Sequence, residues 1–295
     1  LSKKCYIVEK GTGVIIDDNF VVNELEDKTR TKKYYEQNKL KKDFRKIQEE
    51  YLGRFVFFIF KNMDKLEEIL NDNYLIKFLY CCSYIKENGI LMLDNNKTCI
   101  DKKKLKNLLR VGDKTFNEFY KVLKNNKLIN EINNKIYINI HICWQGNKNV
   151  HEKFLNKKIK DFTRLYIRTI RELYENTPSR KHKRLSIVYK LISYTNWKYN
   201  ILCTLDTVEE IDRDKIKPLR IKDIIEILHY DKTNITRFKK DIYSLKYNKY
   251  NIFGSIEFEP DSLKSFIVIN PLFFYRGDNI NVISYLITLF GLSKS

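Results

Sequence analysis

Residues 104–123 read KLKNLLRVGDKTFNEFYKVL, and 119 positions later residues 223–242 read DIIEILHYDKTNITRFKKDI. Between the two, Leu105, Leu108 and Leu109 fall on Ile224, Ile227 and Leu228, while Phe116, Phe119 and Leu123 fall on Ile235, Phe238 and Ile242. Apolar residues spaced i, i+3, i+4 and i, i+3, i+7 share one side of a helix, so each set predicts a buried helix face. Each stretch therefore reads as two helices joined by a short turn, Arg110-Val111-Gly112-Asp113 in the first and His229-Tyr230-Asp231-Lys232 in the second.

The flanks repeat as well. Upstream, an apolar helix over Tyr74 to Ile85 precedes a turn at Asn88-Gly89 and a strand-like Ile90 to Leu93, and Ser186 to Asn196 precedes Ile201 to Leu205 in the same way. Downstream, Leu128 to Ile132 and Lys135 to Ile140 flank Asn133-Asn134, a two-residue hairpin turn. In the second copy Asn251 to Glu259 and Leu263 to Ile269 flank Pro260-Asp261-Ser262. Both hairpins end alike: Ile138-Asn139 through Gly146-Asn147 aligns with Ile269-Asn270 through Gly277-Asp278 at a constant offset of 131.

Helix, strand, helix, turn, helix, two-stranded wing is the order of a winged helix, and it occurs twice. The expected fold is mainly α with small β wings (α+β), with two tandem winged-helix (helix-turn-helix) domains and a small N-terminal β-containing region. The domain ranges that follow are 1–50, 51–147, a basic connector over 148–184, and 185–295. In the first range Cys5 to Glu9, Val14 to Ile16 and Phe20 to Val22 are short apolar stretches parted by Gly11-Thr12-Gly13 and Asp17-Asp18-Asn19, which predicts a β-meander. Lys28 to Glu50 is charge-rich and reads as a solvated helix or tether.

Lys and Arg total 56 against 37 Asp and Glu, for a formal net charge of +19, which favours a polyanionic partner. AT-rich coding also raises Lys, so charge alone does not decide the matter. Its distribution adds to the case: residues 148–184 hold twelve basic and four acidic side chains. Arg164, Arg168 and Arg171 are expected on one face of a helix ending near Pro178, opposite Phe162, Leu165 and Ile170.

Several classes drop out. The longest apolar runs, Phe55 to Phe60 and Ile283 to Phe290, are core-sized and fall short of the ~18 residues a membrane span needs. Cysteines 5, 81, 82, 99, 143 and 203 form no C-x-x-C pair and read as reduced thiols of a cytoplasmic, nucleoid- or plasmid-associated protein. His141 and Cys143 alternate on an expected strand, but a tetrahedral metal needs four placed ligands, so no metal or other cofactor is expected. A phosphate-binding G-x-x-x-x-G-K-[ST] loop and an H-x-H pair are both missing, and a non-enzyme is expected.

In a helix-turn-helix the second helix presents its N-terminal and outward side chains to base edges in the major groove. With Phe116, Phe119 and Leu123 turned inward, Lys114, Thr115, Asn117, Glu118 and Lys121 face out. In the second copy Thr233, Asn234, Thr236, Arg237 and Lys240 do so. Arg237 is the candidate for guanine, whose paired acceptors suit its fork. Lys102, Lys103, Lys104 and Lys106 open the preceding helix and are candidates for phosphate contact, with Lys181, Lys183 and Arg184 of the connector. Wing residues Lys135 and Lys264 are weaker candidates. The competing account is the solvated outer face of any amphipathic helix.

The stretch VINPLFFYRGD at 268–278 resembles the close of the winged-helix region in replication proteins of firmicute plasmids and phages, and Trp144-Gln145-Gly146-Asn147 ends the first copy similarly. Two related units in tandem also resemble the architecture of iteron-binding plasmid initiators. The resemblance implies sequence-specific binding of double-stranded DNA at an origin, for replication initiation or maintenance, with replication-machinery proteins as further partners. Two alternatives remain. One is a winged-helix transcriptional regulator, working as a homodimer through Ile280 to Phe290. The other is a protein-interaction adaptor that does not bind DNA.

Overall fold

The computed structural model describes residues 3–4, 7–8, 15–17, 21–22, 25–94, 97–159, 161–231, 233, 235–257 and 265–294. Of the described residues, helix accounts for 53% and strand for 17%, a mixed α+β composition with small sheets. The chain divides into two compact units, residues 1–46 and 47–295. In the first, strands β1 (Lys3–Lys4), β2 (Ile7–Val8), β3 (Ile15–Asp17) and β4 (Val21–Val22) pair as β1 with β4 and β2 with β3. That nesting differs from the expected meander, in which neighbours in sequence would pair. Helix α1 (Leu25–Ile47) follows, with Tyr34, Tyr35 and Leu40 exposed.

The second unit is built around a run of elements that occurs twice. The first run is β5 (Phe55–Ile59), α2 (Met63–Ile69), α3 (Asp72–Cys82), a bridging segment at Ile90–Met92, α4 (Lys102–Leu109), α5 (Asp113–Asn125), the hairpin β6 (Ile129–Ile132) and β7 (Lys135–Ile138), then β8 (Cys143–Trp144) and α6 (Lys148–Phe154). The second run is β9 (Phe162–Tyr166), α7 (Ile167–Asn176), α8 (His182–Lys190), a bridging segment at Ile201–Cys203, α9 (Ile221–Ile227) and α10 (Ile235–Tyr243). A small hairpin, β10 (Lys246–Tyr247) with β11 (Tyr250–Asn251), intervenes before β12 (Phe253–Glu257), β13 (Ser265–Ile269), β14 (Phe274–Tyr275) and α11 (Ile280–Leu289).

Backbone bonds confirm that these runs match in space as well as in order. Ile90 bridges Tyr137 and Ile201 bridges Val268, and the amides of Leu91 and Leu202 donate to the carbonyls of Ile136 and Ile267. Tyr137 and Ile136 are each 131 positions from their counterparts, the offset read at the hairpin ends. Farther upstream the offset is 119: the Arg110 amide donates to Asn107 as that of His229 does to Glu226, and both donors sit at a left-handed φ of 52° and 54°. The offset grows because the second run adds β10–β11 and a wider connection between β12 and β13. The β6–β7 hairpin turns tightly at Asn133-Asn134, with φ of 51° and 60°, the left-handed pair that a two-residue hairpin demands and Asn tolerates.

The runs meet in one antiparallel sheet of order β14-β9-β5-β8. β5 pairs with β9 from Phe55↔Tyr166 to Ile59↔Phe162, with Phe57 opposite Arg164 at the centre. Each inner strand carries its own run's closing strand on its outer edge, Phe57↔Trp144 on one side and Tyr275↔Arg164 on the other. That order reads alike from either edge. An antiparallel pair has a local two-fold axis perpendicular to the sheet, and the register sets that axis between Phe57 and Arg164, relating β5 to β9 and β8 to β14.

Alternation along the strands sets which residues fill the core. Val56, Phe58, Cys143, Thr163, Leu165 and Phe274 share one face and are all fully buried. On the other face Phe57 stacks on Trp144 at 4.7 Å, and Trp144 stacks on His151 of α6 at 4.3 Å and 5° between planes.

Residues 148–184 therefore differ from the expected basic helical connector. They begin with α6 and then supply β9 and α7 to the second run, before a 3-10 turn at Ser179–Lys181. Periodicity misled here because a five-residue strand, FTRLY, abuts α7 directly at Tyr166–Ile167, with no Gly or Pro to separate them. The helix expected from Ser186 starts four residues earlier, at His182.

Candidate nucleic-acid interface

Each run presents its second paired helix in the same manner. In the first, Asp101 caps α4: its Oδ1 accepts from the Lys104 amide at 2.7 Å and its Oδ2 from the Lys104 ammonium at 2.7 Å. These bonds hold the Asp101 carboxyl below its usual range. Lys106 bonds Asp113 at 2.6 Å, tying α4 to the first turn of α5. Phe116, Phe119 and Leu123 bury the inner face of α5, with the Phe119 ring 5.3 Å from Tyr74. Tyr120 donates to Glu131 of β6 at 2.9 Å, and burial together with this bond pushes its phenol pKa up.

In the second run the Arg220 amide donates to Asp223 at 2.8 Å at the start of α9. Before α10, Asp231 Oδ1 accepts from the Thr233 amide at 2.9 Å and hydroxyl at 2.8 Å. Phe238 and Ile242 are buried, and the Tyr230 ring covers Phe238 at 4.9 Å. The outer faces are open. Lys114, Thr115, Asn117, Glu118 and Lys121 on α5, and Thr233, Thr236, Arg237 and Lys240 at α10, are all exposed. Lys239 joins that second group; it escaped the sequence reading because it neighbours Phe238 in the chain. Asn234 and Lys264 lie outside the described residues.

The remaining candidates divide. Lys102 and Lys103 are exposed at the start of α4, with the Lys102 ammonium 5.0 Å over the Tyr120 ring, whereas Lys104 is held by its cap bond. Lys135, Lys181 and Lys183 are exposed and Arg184 is half-buried. Arg168 is exposed on α7 and bonds Glu172 at 2.7 Å. The expected single face of Arg164, Arg168 and Arg171 does not form, because Arg164 lies on strand β9. Its guanidinium donates to the carbonyl of Gly277 at 2.8 Å and lies 5.7 Å over Phe55. Arg171 stacks 3.7 Å over Tyr84, donates to the Ser83 carbonyl at 2.7 Å and bonds Asp94. Both arginines are committed to internal contacts.

The YRGD stretch at 275–278 is also internal. Arg276 has a side chain only 5% exposed, bonds Glu209 at 2.6 Å and packs on Phe60 at 4.1 Å. Burial lowers its pKa against the pull of Glu209. Most of the apolar C-terminal stretch is likewise used within the chain, since Ile283, Leu286 and Ile287 are buried and Tyr285 and Leu289 remain exposed. Among the described residues no group of three His, Cys, Asp or Glu side chains is placed to hold a metal, and no helix is long and apolar enough to cross a membrane. Comparison with protein-family models, with characterised proteins and with solved structures finds no match in any of the three.

Proposed function

We propose that this chain is a sequence-reading, double-stranded DNA-binding protein built from two winged-helix units and acting in replication initiation or maintenance of a plasmid or phage. One observation carries the reading. α5 and α10 stand at equivalent places in the repeated run, each burying an apolar inner face and exposing Thr with Lys or Arg on the other. Those side chains suit base edges and phosphates, and the net charge of +19 suits a polyanion. Extended from the strands to the helices, the dyad would put both on one side of the sheet, as this reading requires. The reading that follows is two heads on one face of the duplex, ~34 Å apart, addressing half-sites in inverted order. The replication role rests on the resemblance of the 268–278 stretch.

Selection of bound sequences from a random duplex pool tests this. Two related half-sites in inverted order are expected. Recovery of one short half-site, or no enrichment even at low salt, rejects the proposal, and the second outcome favours a protein-binding adaptor. Footprints at a promoter and not at an origin would assign the same heads to transcription.

A further inference from the structure

The two runs end in equivalent helices that differ in what covers them. Asn147 caps α6, accepting from Asn149, and Asn279 caps α11, accepting from Asn281 and Val282. Counting from the caps, Val150 and Phe154 of α6 correspond to Val282 and Leu286 of α11. Leu286 is buried and Val282 half-buried, whereas Val150 is 65% and Phe154 71% exposed, the latter the most exposed large apolar side chain among the described residues. An insertion explains the difference. The Leu93 amide bonds the Thr98 carbonyl across a short turn, while the Thr204 amide bonds that of Lys217 across a longer one. The added residues bond back to the turn at 196–199 and share a cavity with α11.

That longer loop does not close fully over α11. A cavity of about 610 Å³ remains, lined by Tyr199, Ile211, Tyr285 and Leu286, with Asp212, Arg213 and Asp214 on its rim. Ile211 is 61% exposed, and residues 206–217 hold five carboxylates against three cations, with Asp206 paired to Lys217, Asp212 to Lys215, Asp214 to Arg213 and Glu209 to Arg276. The segment around α6 has the opposite character. Lys153, Lys157 and Lys158 are exposed beside Val150 and Phe154. Within one chain the two features do not meet: α6 and α11 follow the opposite outer strands of the sheet, β8 and β14, and Val150, Phe154 and Ile211 all stay exposed.

We infer that α6 of one copy docks in the Ile211–Tyr285 cavity of a second copy, Val150 and Phe154 filling the apolar floor and the lysines facing the acidic rim. The contact joins unlike surfaces, so each copy offers one docking helix and one cavity. Such a head-to-tail contact does not close after two copies, and association continues beyond a dimer.

The test is sedimentation of the full chain, freed of nucleic acid, over a concentration series at low salt. Wild type is expected to rise in mass past a dimer, and to fall back as salt screens the lysine–carboxylate pairs. Phe154→Asp and Ile211→Asp, both at exposed positions, each weaken association at least about tenfold. Lys153→Glu, which leaves the apolar surface intact, weakens it in the same direction. Mixed in equal amounts, Phe154→Asp supplies a sound cavity and Ile211→Asp a sound helix, so the mixture forms a 1:1 pair and nothing larger. A wild-type chain that stays at 35.6 kDa, a substitution without effect, or a mixture that remains monomeric overturns the inference.

Discussion

Asn139 and Asn270, 131 positions apart, make the same set of hydrogen bonds. Each backbone amide donates to the start of its hairpin region, Leu128 at 2.9 Å and Ile252 at 2.8 Å. Each side-chain amide donates to the preceding carbonyl, Lys127 at 3.0 Å and Asn251 at 2.9 Å. Each Oδ1 accepts from the amide two residues on, His141 and Leu272, both at 3.0 Å. The residue thus closes the hairpin and turns the chain toward the short strand that joins the central sheet. A side chain with both a donor and an acceptor is needed there, which is why the two copies share Asn.

Replacing Asn270 with Ala should therefore leave the Leu272 amide and the Asn251 carbonyl without their partner. Asn270 is fully buried, so the expected loss is about 1–3 kcal/mol in urea unfolding. Asn139→Ala, at a half-buried site, should cost less. Equal stability of both variants and the wild type would remove the shared role.

The central strand pair should make the two runs one folding unit. Phe58 is fully buried between Thr163 and Cys143, and Phe58→Ala is expected to cost about 3–5 kcal/mol. A fragment of residues 47–158 lacks β9 and leaves one side of β5 unpaired. It should show no cooperative melting by circular dichroism; a sharp transition in the fragment would mean that the first run is stable without its mate.

Two buried histidines make stability depend on pH. Burial lowers the pKa of His182, whose Nε2 donates to the carbonyls of Thr177 at 2.7 Å and Tyr174 at 3.0 Å. Burial also lowers that of His151, stacked on Trp144. A depressed folded value means that the unfolded chain takes up protons first. Stability from these sites is then complete above the ordinary histidine value of about 6.5 and is lost as pH falls below it. The urea midpoint should drop from pH 7 to pH 5, and less steeply in His182→Gln. A flat profile in the wild type would show that the rings are not held neutral.

If the chain reads DNA as proposed, substitutions on α10 and α5 should separate by type. Arg237→Ala should reduce discrimination between selected and random duplex by about 1–3 kcal/mol, since a guanidinium pairs with guanine through two bonds. Lys121→Ala should weaken binding to both alike and flatten the salt dependence by about one unit. Titrations at several salt concentrations decide it. Equal loss on both duplexes for Arg237→Ala would take that residue out of base reading.

What the residues alone determined is local. The apolar spacing of Leu105 to Leu123 and Ile224 to Ile242 marks which side of each helix is buried, because a helix face is set by neighbours three and four apart. The Asn133-Asn134 turn and the matching ends of the wings were legible for the same reason. The tertiary structure alone decided that β5 and β9, separated by about a hundred residues, pair across a dyad, since a five-residue strand carries too little pattern to name its partner. It also decided which cations stay open. Arg164, Arg168 and Arg171 look alike in the chain, yet a carbonyl of Gly277 and the ring of Tyr84 claim the first and last of them. Long side chains are committed by what lies near them in space, and sequence spacing does not record it.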